Sequence, residues 1–312
     1  MKVGIIGAGM VGSAAGYAIA LKGTASDIIF VDQNSDLARA QAQDIAHAVP
    51  FSSASRVSAG NYSALKGADV IILAAGVGQQ PGESRLNLLS RNTEVFRSIL
   101  SNLGPLKSDM ILLIASNPVD IMTQIATKLS GLPPARVIGS GTILDTARFR
   151  HLLGLHLGIA AHSVHAYVLG EHGDSEVLAW HSARVGTLPL ADFATQRGVP
   201  LTPDIKHAID AGVRGAAETI IKGKGATWYG IGAGLERIVR AIATDEQAVM
   251  SVSCVTPHIE DVDTVALSIP RIIGATGADT DVFPELNAQE HTALAASARG
   301  LKDTYDALKL MR

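Results

Sequence analysis

His172 lies in the stretch Val164-His165-Ala166-Tyr167-Val168-Leu169-Gly170-Glu171-His172-Gly173-Asp174-Ser175, an apolar strand pattern running into a glycine-punctuated turn. Glycines at 170 and 173 let the backbone bend tightly and leave the imidazole projecting into open space. The imidazole titrates nearer neutrality than any other side chain, so at such a place it can give and take a proton. By itself the stretch reads more readily as a surface loop. Asp145 and Arg148, in the helix-opening segment Gly139–Arg150, are a second candidate pair. Three residues apart they share a helix face, where an ordinary exposed ion pair contributes little. Six of the ten histidines fall at 151, 156, 162, 165, 172 and 181, which raises the question of a metal. There is no His-Glu-x-x-His pattern, and no cysteine lies near enough to close a tetrahedral site, so no metal is expected.

The elements that must position these groups begin with an apolar strand, Lys2–Ile6, ending in Gly7-Ala8-Gly9-Met10-Val11-Gly12 and followed by a helical stretch, Ser13–Leu21. In such a turn the first glycine permits the bend, the second lets a pyrophosphate approach the backbone, and the third allows close helix–strand packing. Free N–H groups at the helix start then face the anion. A second strand, Asp27–Val31, ends in Asp32, twenty residues after Gly12. A carboxylate there accepts hydrogen bonds from an adenosine ribose and repels a 2′-phosphate, so NAD is expected rather than NADP.

Further strands at Arg56–Ala59, Asp69–Ala74, Asp109–Ala115 and Arg136–Gly139 alternate with helical stretches Asp36–Ala48, Leu86–Leu103 and Asp120–Ser130. That alternation predicts an α/β domain with a doubly wound parallel sheet over residues 1–141. Val77–Arg85 is too polar and glycine-rich to pack, and reads either as a ligand-facing loop at the carboxyl edge of the sheet or as a solvated turn. Asn117, in Ser116-Asn117-Pro118-Val119-Asp120, could cap the following helix or meet a ligand. Residues 142–312 do not alternate strictly. A long helix over Pro203–Ile221, a helix after Gly223–Gly230, strands Gln247–Val255 and Val265–Ile272, and a terminal helix Ala288–Leu310 predict an α+β second domain.

The chain has 312 residues, 47% apolar and 18% charged, with a net charge of −3. It is long enough for two packed domains and too apolar to be disordered. Neither the charge nor any basic run suggests a nucleic-acid partner. Cys254 is the only cysteine, so no intrachain disulfide can form and a cytoplasmic location is expected. Met1 leads straight into the first strand pattern without the basic region and cleavage site of a signal peptide, so none is expected, and the apolar runs are too short to span a bilayer.

Taken together and in order, Gly7–Gly12, Asp32, Gln79–Arg85, Asn117-Pro118, Leu144–Arg148, Gly170–Ser175 and Thr227 resemble the lactate/malate dehydrogenase family, in particular its bacterial lactate-specific members, over essentially the whole chain. The resemblance implies an NAD-dependent dehydrogenase that interconverts pyruvate and (S)-lactate by hydride transfer. It makes His172 the acid/base, Asp145 its partner, Arg148 the carboxylate clamp and Arg85 a mobile residue that polarises the ketone. Asn117 and Thr227 join the substrate wall, and Ala75 and Gly76 join Gly7, Gly9, Met10, Val11, Gly12, Asp32 and Asn117 around the cofactor. Within the family an arginine at the position of Gln79 pairs with the second carboxylate of oxaloacetate. A neutral Gln79 therefore implies lactate, and the alternative is a malate or broader 2-hydroxyacid dehydrogenase. A non-catalytic nucleotide sensor on the same fold is disfavoured by the intact set of charged groups. Arg150 and His165 match the pair that binds fructose 1,6-bisphosphate between subunits of allosteric bacterial members, which also implies a homotetramer.

Overall fold

The computed structural model describes residues 1–78, 80 and 82–308. The first half contains β1 (Lys2–Ile6), α1 (Met10–Lys22), β2 (Asp27–Val31), α2 (Ser35–Ala48), β3 (Arg56–Ala59), β4 (Val70–Leu73), α3 (Arg85–Leu103), β5 (Ile111–Ile114), α4 (Val119–Ser130) and β6 (Val137–Gly139). These six strands pair in parallel in the order 6-5-4-1-2-3. The order reverses between β1 and β4, which opens a crevice at their carboxyl ends. β4 and β5 are buried along their whole length, as their unbroken runs Val-Ile-Ile-Leu and Ile-Leu-Leu-Ile require in a sheet covered on both faces.

The second half opens with α5 (Ile143–Leu157), followed by five two-residue strands: β7 (Val164–His165), β8 (Val168–Leu169), β9 (Val177–Leu178), β10 (Arg184–Val185) and β11 (Leu188–Pro189). Helices α6 (Leu190–Gln196), α7 (Pro203–Arg214), α8 (Ala216–Lys224) and α9 (Tyr229–Ala243) come next. The chain then forms β12 (Ala248–Ile259), β13 (Val262–Gly274), β14 (Gly277–Asp281) and α10 (Ala288–Ala307). β12, β13 and β14 are antiparallel and extend the first sheet beyond β6 through one residue pair, Ser253 opposite Gly139. The architecture is the expected doubly wound parallel sheet followed by an α/β second half.

Several local readings are corrected. The long helix over 203–221 is two helices, α7 ending at Arg214 and α8 beginning at Ala216, with Gly215 as the junction between them. The expected strand over 164–169 is two short strands in different sheets, β7 against β10 and β8 against β9. β12 and β13 run longer than expected, and β14 was not expected at all. Its sequence, Gly-Ala-Asp-Thr-Asp, has no strand propensity, and it forms as an edge because β13 offers it a ladder. The terminal helix ends at Ala307 within the described residues.

The two halves are joined by side chains as well as by the sheet. α9 lies on α1 so closely that a Cβ on Gly232 would come within 2.8 Å of Ala14. Glu236, fully buried on α9, accepts hydrogen bonds from Lys22 Nζ at 2.8 Å and Thr24 Oγ1 at 2.7 Å. Such a buried carboxylate is tolerated only when its partners remain, so it fixes how the second half seats on the first. Among the described residues no helix is long and apolar enough to cross a membrane.

Candidate active site

The glycine turn after β1 assigns different work to its three glycines. Gly7 has φ +103°, and a Cβ there would lie 2.6 Å from the Ala75 nitrogen. A Cβ on Gly12 would sit 1.9 Å from the Gly7 carbonyl oxygen, so any side chain would push α1 off β1. Gly9 is different, because a Cβ there would meet nothing within 4 Å. Fold packing demands the first and third glycines, whereas the second leaves bare backbone beside open space, which suits an approaching pyrophosphate. Asp32 at the end of β2 accepts from the Ala8 N–H at 2.7 Å and from the Asn34 N–H at 2.8 Å. Its carboxylate thus holds the turn in shape as well as facing the crevice. The crevice has a volume of about 750 Å³, and Gly7, Gly9, Asp32, Ala75, Gly76 and Tyr62 are among its walls. Met10 is exposed and Val11 half-buried at the start of α1. An elongated anionic dinucleotide fits this cleft of bare backbone, with Asp32 among its walls.

The cluster around His172 is assembled from elements distant in sequence. α5 carries Asp145 in its first turn, where the helix dipole favours an anion, and Arg148 one turn on. Asp145 is 2% exposed, with Oδ1 accepting from Arg148 Nη1 at 2.9 Å and Oδ2 lying 2.5 Å from His172 Nδ1. The expected exposed ion pair is therefore a buried bridge between a guanidinium and an imidazole. α5 is docked onto β8, the strand that leads to His172, by hydroxyl groups. Thr142 Oγ1 donates to the Val168 oxygen at 2.5 Å, Ser251 Oγ donates to the same oxygen at 2.7 Å, and Thr146 Oγ1 accepts from the Val168 N–H at 3.0 Å.

His172 does not project into open space. The bend falls at Gly170, with φ +82°, where a Cβ would lie 2.7 Å from Ser297 Oγ. Gly170 bridges Ser268 of β13 through hydrogen bonds of 2.8 and 2.9 Å, and Ser297 of α10 accepts from the Glu171 N–H at 2.9 Å. The His172 N–H itself donates to Asp120 Oδ2 of α4 at 2.7 Å. Burial alone would lower the imidazole pKa. The hydrogen bond and charge of Asp145, with the charges of Asp120 and Glu176, outweigh it and raise the value to about 9. Asp120 is 1% exposed, and its burial raises its own carboxyl to about 6. Asp120, Glu176 and the docking hydroxyls carry no local sequence signal. Asp120 could have been found only as the acidic residue after Asn-Pro-Val, where it reads as a helix-start charge.

Other expected site residues fall at different distances from this cluster. Asn117 is exposed at the carboxyl end of β5, preceding a cis bond to Pro118. Thr227 is half-buried between α8 and α9. Arg85 is the first residue of α3, after the cap Ser84, whose hydroxyl accepts from the Asn87 N–H at 3.2 Å. Gln79 lies outside the described residues. Arg150 faces away from Asp145: its Nε donates to the Ala166 oxygen at 2.8 Å and its guanidinium lies 4.9 Å over the Tyr167 ring. His165 is exposed on β7, directly opposite Arg184 of β10.

Comparison with known proteins agrees with this geometry. Residues 1–139 match the model of the lactate/malate dehydrogenase NAD binding domain, and residues 142–310 that of the lactate/malate dehydrogenase alpha/beta C-terminal domain. An L-lactate dehydrogenase of Allorhizobium ampelinum is 62% identical, the match covering 97% of this chain and 98% of that protein. One from Thermus aquaticus is 57% identical over 99% of both chains. The crystal structure of a minor L-lactate dehydrogenase from Enterococcus mundtii in a ligand-bound form superposes with a TM-score of 0.95, at 36% identity and 99% coverage of each chain. The chain belongs to the lactate/malate dehydrogenase family and carries that family's NAD binding domain.

Proposed function

We propose that this protein is an L-lactate dehydrogenase, interconverting pyruvate and (S)-lactate. The observation that carries the reading is Asp145, buried and bridging an acid/base imidazole to a guanidinium. One carboxylate thereby orients both a proton donor and a carboxylate receptor. Arg148 would receive the pyruvate carboxylate with its planar two-donor face. His172 would then present Nε2 to the ketone oxygen, its Nδ1 being held by Asp145. NADH in the crevice supplies the hydride. As C2 is reduced, the ketone oxygen takes the His172 proton; Asp145 stabilises the imidazolium before transfer, and in the reverse direction His172 Nε2 takes the hydroxyl proton back. Arg85 would polarise the ketone from the start of α3 and help exclude water. Asn117 and Thr227 complete the walls, while Met10, Val11, Ala75 and Gly76 contact the cofactor. A cytoplasmic homotetramer is the form we assign to the enzyme.

The choice of keto acid rests on Gln79. A neutral amide leaves the second carboxylate of oxaloacetate without a counter-charge, and desolvating an unpaired charge costs several kcal/mol. The test is NADH oxidation with pyruvate and with oxaloacetate. The native enzyme should prefer pyruvate, and Gln79→Arg should shift the ratio of kcat/KM toward oxaloacetate by more than about tenfold. An unmoved ratio would remove Gln79 from the substrate pocket.

Activation by fructose 1,6-bisphosphate is the second part of the proposal. Arg150 donates to the oxygen of Ala166, the residue next to His165, and Arg184 stands beside His165 across the β-ladder. Cationic groups brought together across a two-fold axis repel until a bisphosphate neutralises them, which would shift the subunit arrangement toward the active one. The bisphosphate should lower the apparent KM for pyruvate, and the double variant Arg150→Gln, His165→Gln should lose that response while keeping turnover at saturating pyruvate. An unresponsive native enzyme would refute the effector role.

A further inference from the structure

The loop from His172 to β9 contains a buried acid that the mechanism above does not use. Glu176 is 4% exposed, and among the described residues its Oε1 is buried without a hydrogen-bond partner. Its backbone is fixed on both sides. The N–H donates to the Gly173 oxygen at 3.1 Å, and Arg214 of α7 donates to the Glu176 oxygen at 2.8 Å and the Asp174 oxygen at 2.9 Å. The carboxyl is thereby held inside, where it senses Asp145 and Arg148 on α5, Arg214 on α7 and His172 on its own loop. Behind these stand Asp210, paired with Arg214 at 2.6 Å, and Asp120 of α4, paired with the His172 N–H.

We propose that Glu176 is a proton-carrying positioning residue: it must be protonated for Arg148 to receive an anionic substrate, and its ionisation closes the site to keto acids. The inference rests on the reading of Arg148 as the carboxylate clamp. With substrate bound and Glu176 ionised, three anionic groups (the substrate carboxylate, Asp145 and Glu176) would share the cations Arg148 and His172, Arg214 being already paired with Asp210. An unpaired buried carboxylate is unfavourable in itself, and this excess makes it more so. Burial, then the charge of Asp145, raise the Glu176 carboxyl to about 8, against the lowering influence of Arg214, His172 and Arg148. A substrate carboxylate on Arg148 neutralises one of the charges that hold the value down. Substrate binding therefore raises it further, and by linkage the proton strengthens substrate binding. Affinity for the anion is full below the Glu176 value and is lost as pH rises through it.

The experiment measures KM for pyruvate at saturating NADH from about pH 6 to 10 in the native enzyme and in Glu176→Gln, a neutral isostere of the protonated acid. In the native enzyme two groups, Glu176 at about 8 and His172 at about 9, lose protons that binding needs, so log KM should rise with a slope approaching two. In Glu176→Gln the slope should fall to one, and KM at pH 9 should be lower than native by up to about tenfold, the mass-action effect of one group one unit above its pKa, less what His172 loses when the Glu176 charge that raises it is removed. The step should appear in KM rather than in kcat. Infrared spectroscopy of the protein reads the same group without turnover: a carboxylic-acid carbonyl band should titrate near pH 8 in the native protein and be missing in Glu176→Gln. Asp120, whose carboxyl is raised only to about 6, would titrate earlier. A one-proton native slope unchanged by the substitution, or the absence of a band titrating near 8, overturns the proposal. Failure to turn over pyruvate at all would instead overturn the substrate assignment, leaving the infrared result to decide the protonation of Glu176.

Discussion

Replacing His172 with Asn should lower kcat for pyruvate reduction by at least about a hundredfold, the lower end of what a positioned acid/base supplies. Asn is the informative choice because its amide can still donate to Asp145 Oδ2, now 2.5 Å from the ring nitrogen. The buried carboxylate then keeps a partner, and the loop keeps its backbone bond to Asp120, which no side-chain change removes. What is lost is the proton at Nε2. NADH affinity should survive, because the bare glycine turn, Asp32 and the ends of β1, β2 and β4 build the cofactor crevice without any atom of His172. Steady-state turnover and NADH fluorescence titration together check this. Near-native turnover would remove His172 from the chemistry, and a loss of NADH binding would show that the substitution had disturbed more than the acid/base.

The cofactor half of this site was legible in the sequence because its signal is local. The turn from Gly7 to Gly12 and Asp32 belongs to two adjoining strands and one helix, so spacing alone predicts that they meet. The structure adds only which glycines the packing demands and which it leaves bare. The acid/base half was legible in part. Asp145 and His172 are 27 residues apart and meet only when α5 docks on β8 through Thr142, Thr146 and Ser251. None of these hydroxyls has a sequence signature, and the pairing was expected from family resemblance rather than from spacing. Local reading also misjudged exposure. Glycines on either side of His172 suggested an open loop, whereas Asp120 from α4 and Ser297 from α10 pin its backbone and the ring is only partly exposed. Glu176 was invisible for the same reason, since an acid in a polar loop gives no sign that tertiary packing will turn it inward. β14 shows the converse case, a strand formed by its neighbour's unpaired edge against its own propensity.

Asp145→Asn should change the pH dependence of the reaction more than its geometry. The amide can keep one oxygen toward Arg148 Nη1, but its NH₂ then faces His172 Nδ1. A protonated ring would oppose donor to donor, so the ring must present Nδ1 as an acceptor and stay neutral. With Asp145 neutral, burial, which lowers the imidazole pKa, is opposed only by the weaker charges of Asp120 and Glu176. The value should fall from about 9 to below the ordinary value of about 6.5. The sign of the effect follows. In the proposed mechanism His172 carries a proton to reduce pyruvate, so the alkaline limb of kcat/KM should move to lower pH. At pH 8 the protonated fraction should drop by at least about thirtyfold. Loss of ring orientation adds to this, bringing the total to at least about a hundredfold. A substitution cannot alter the overall equilibrium, so at fixed pH and unchanged cofactor affinities lactate oxidation must fall by the same factor. Measuring kcat/KM in both directions across pH supplies that internal check. An alkaline limb that stays near pH 9 in Asp145→Asn would mean that another group sets the imidazole's proton affinity, and Asp145 would then be a scaffold for Arg148 alone.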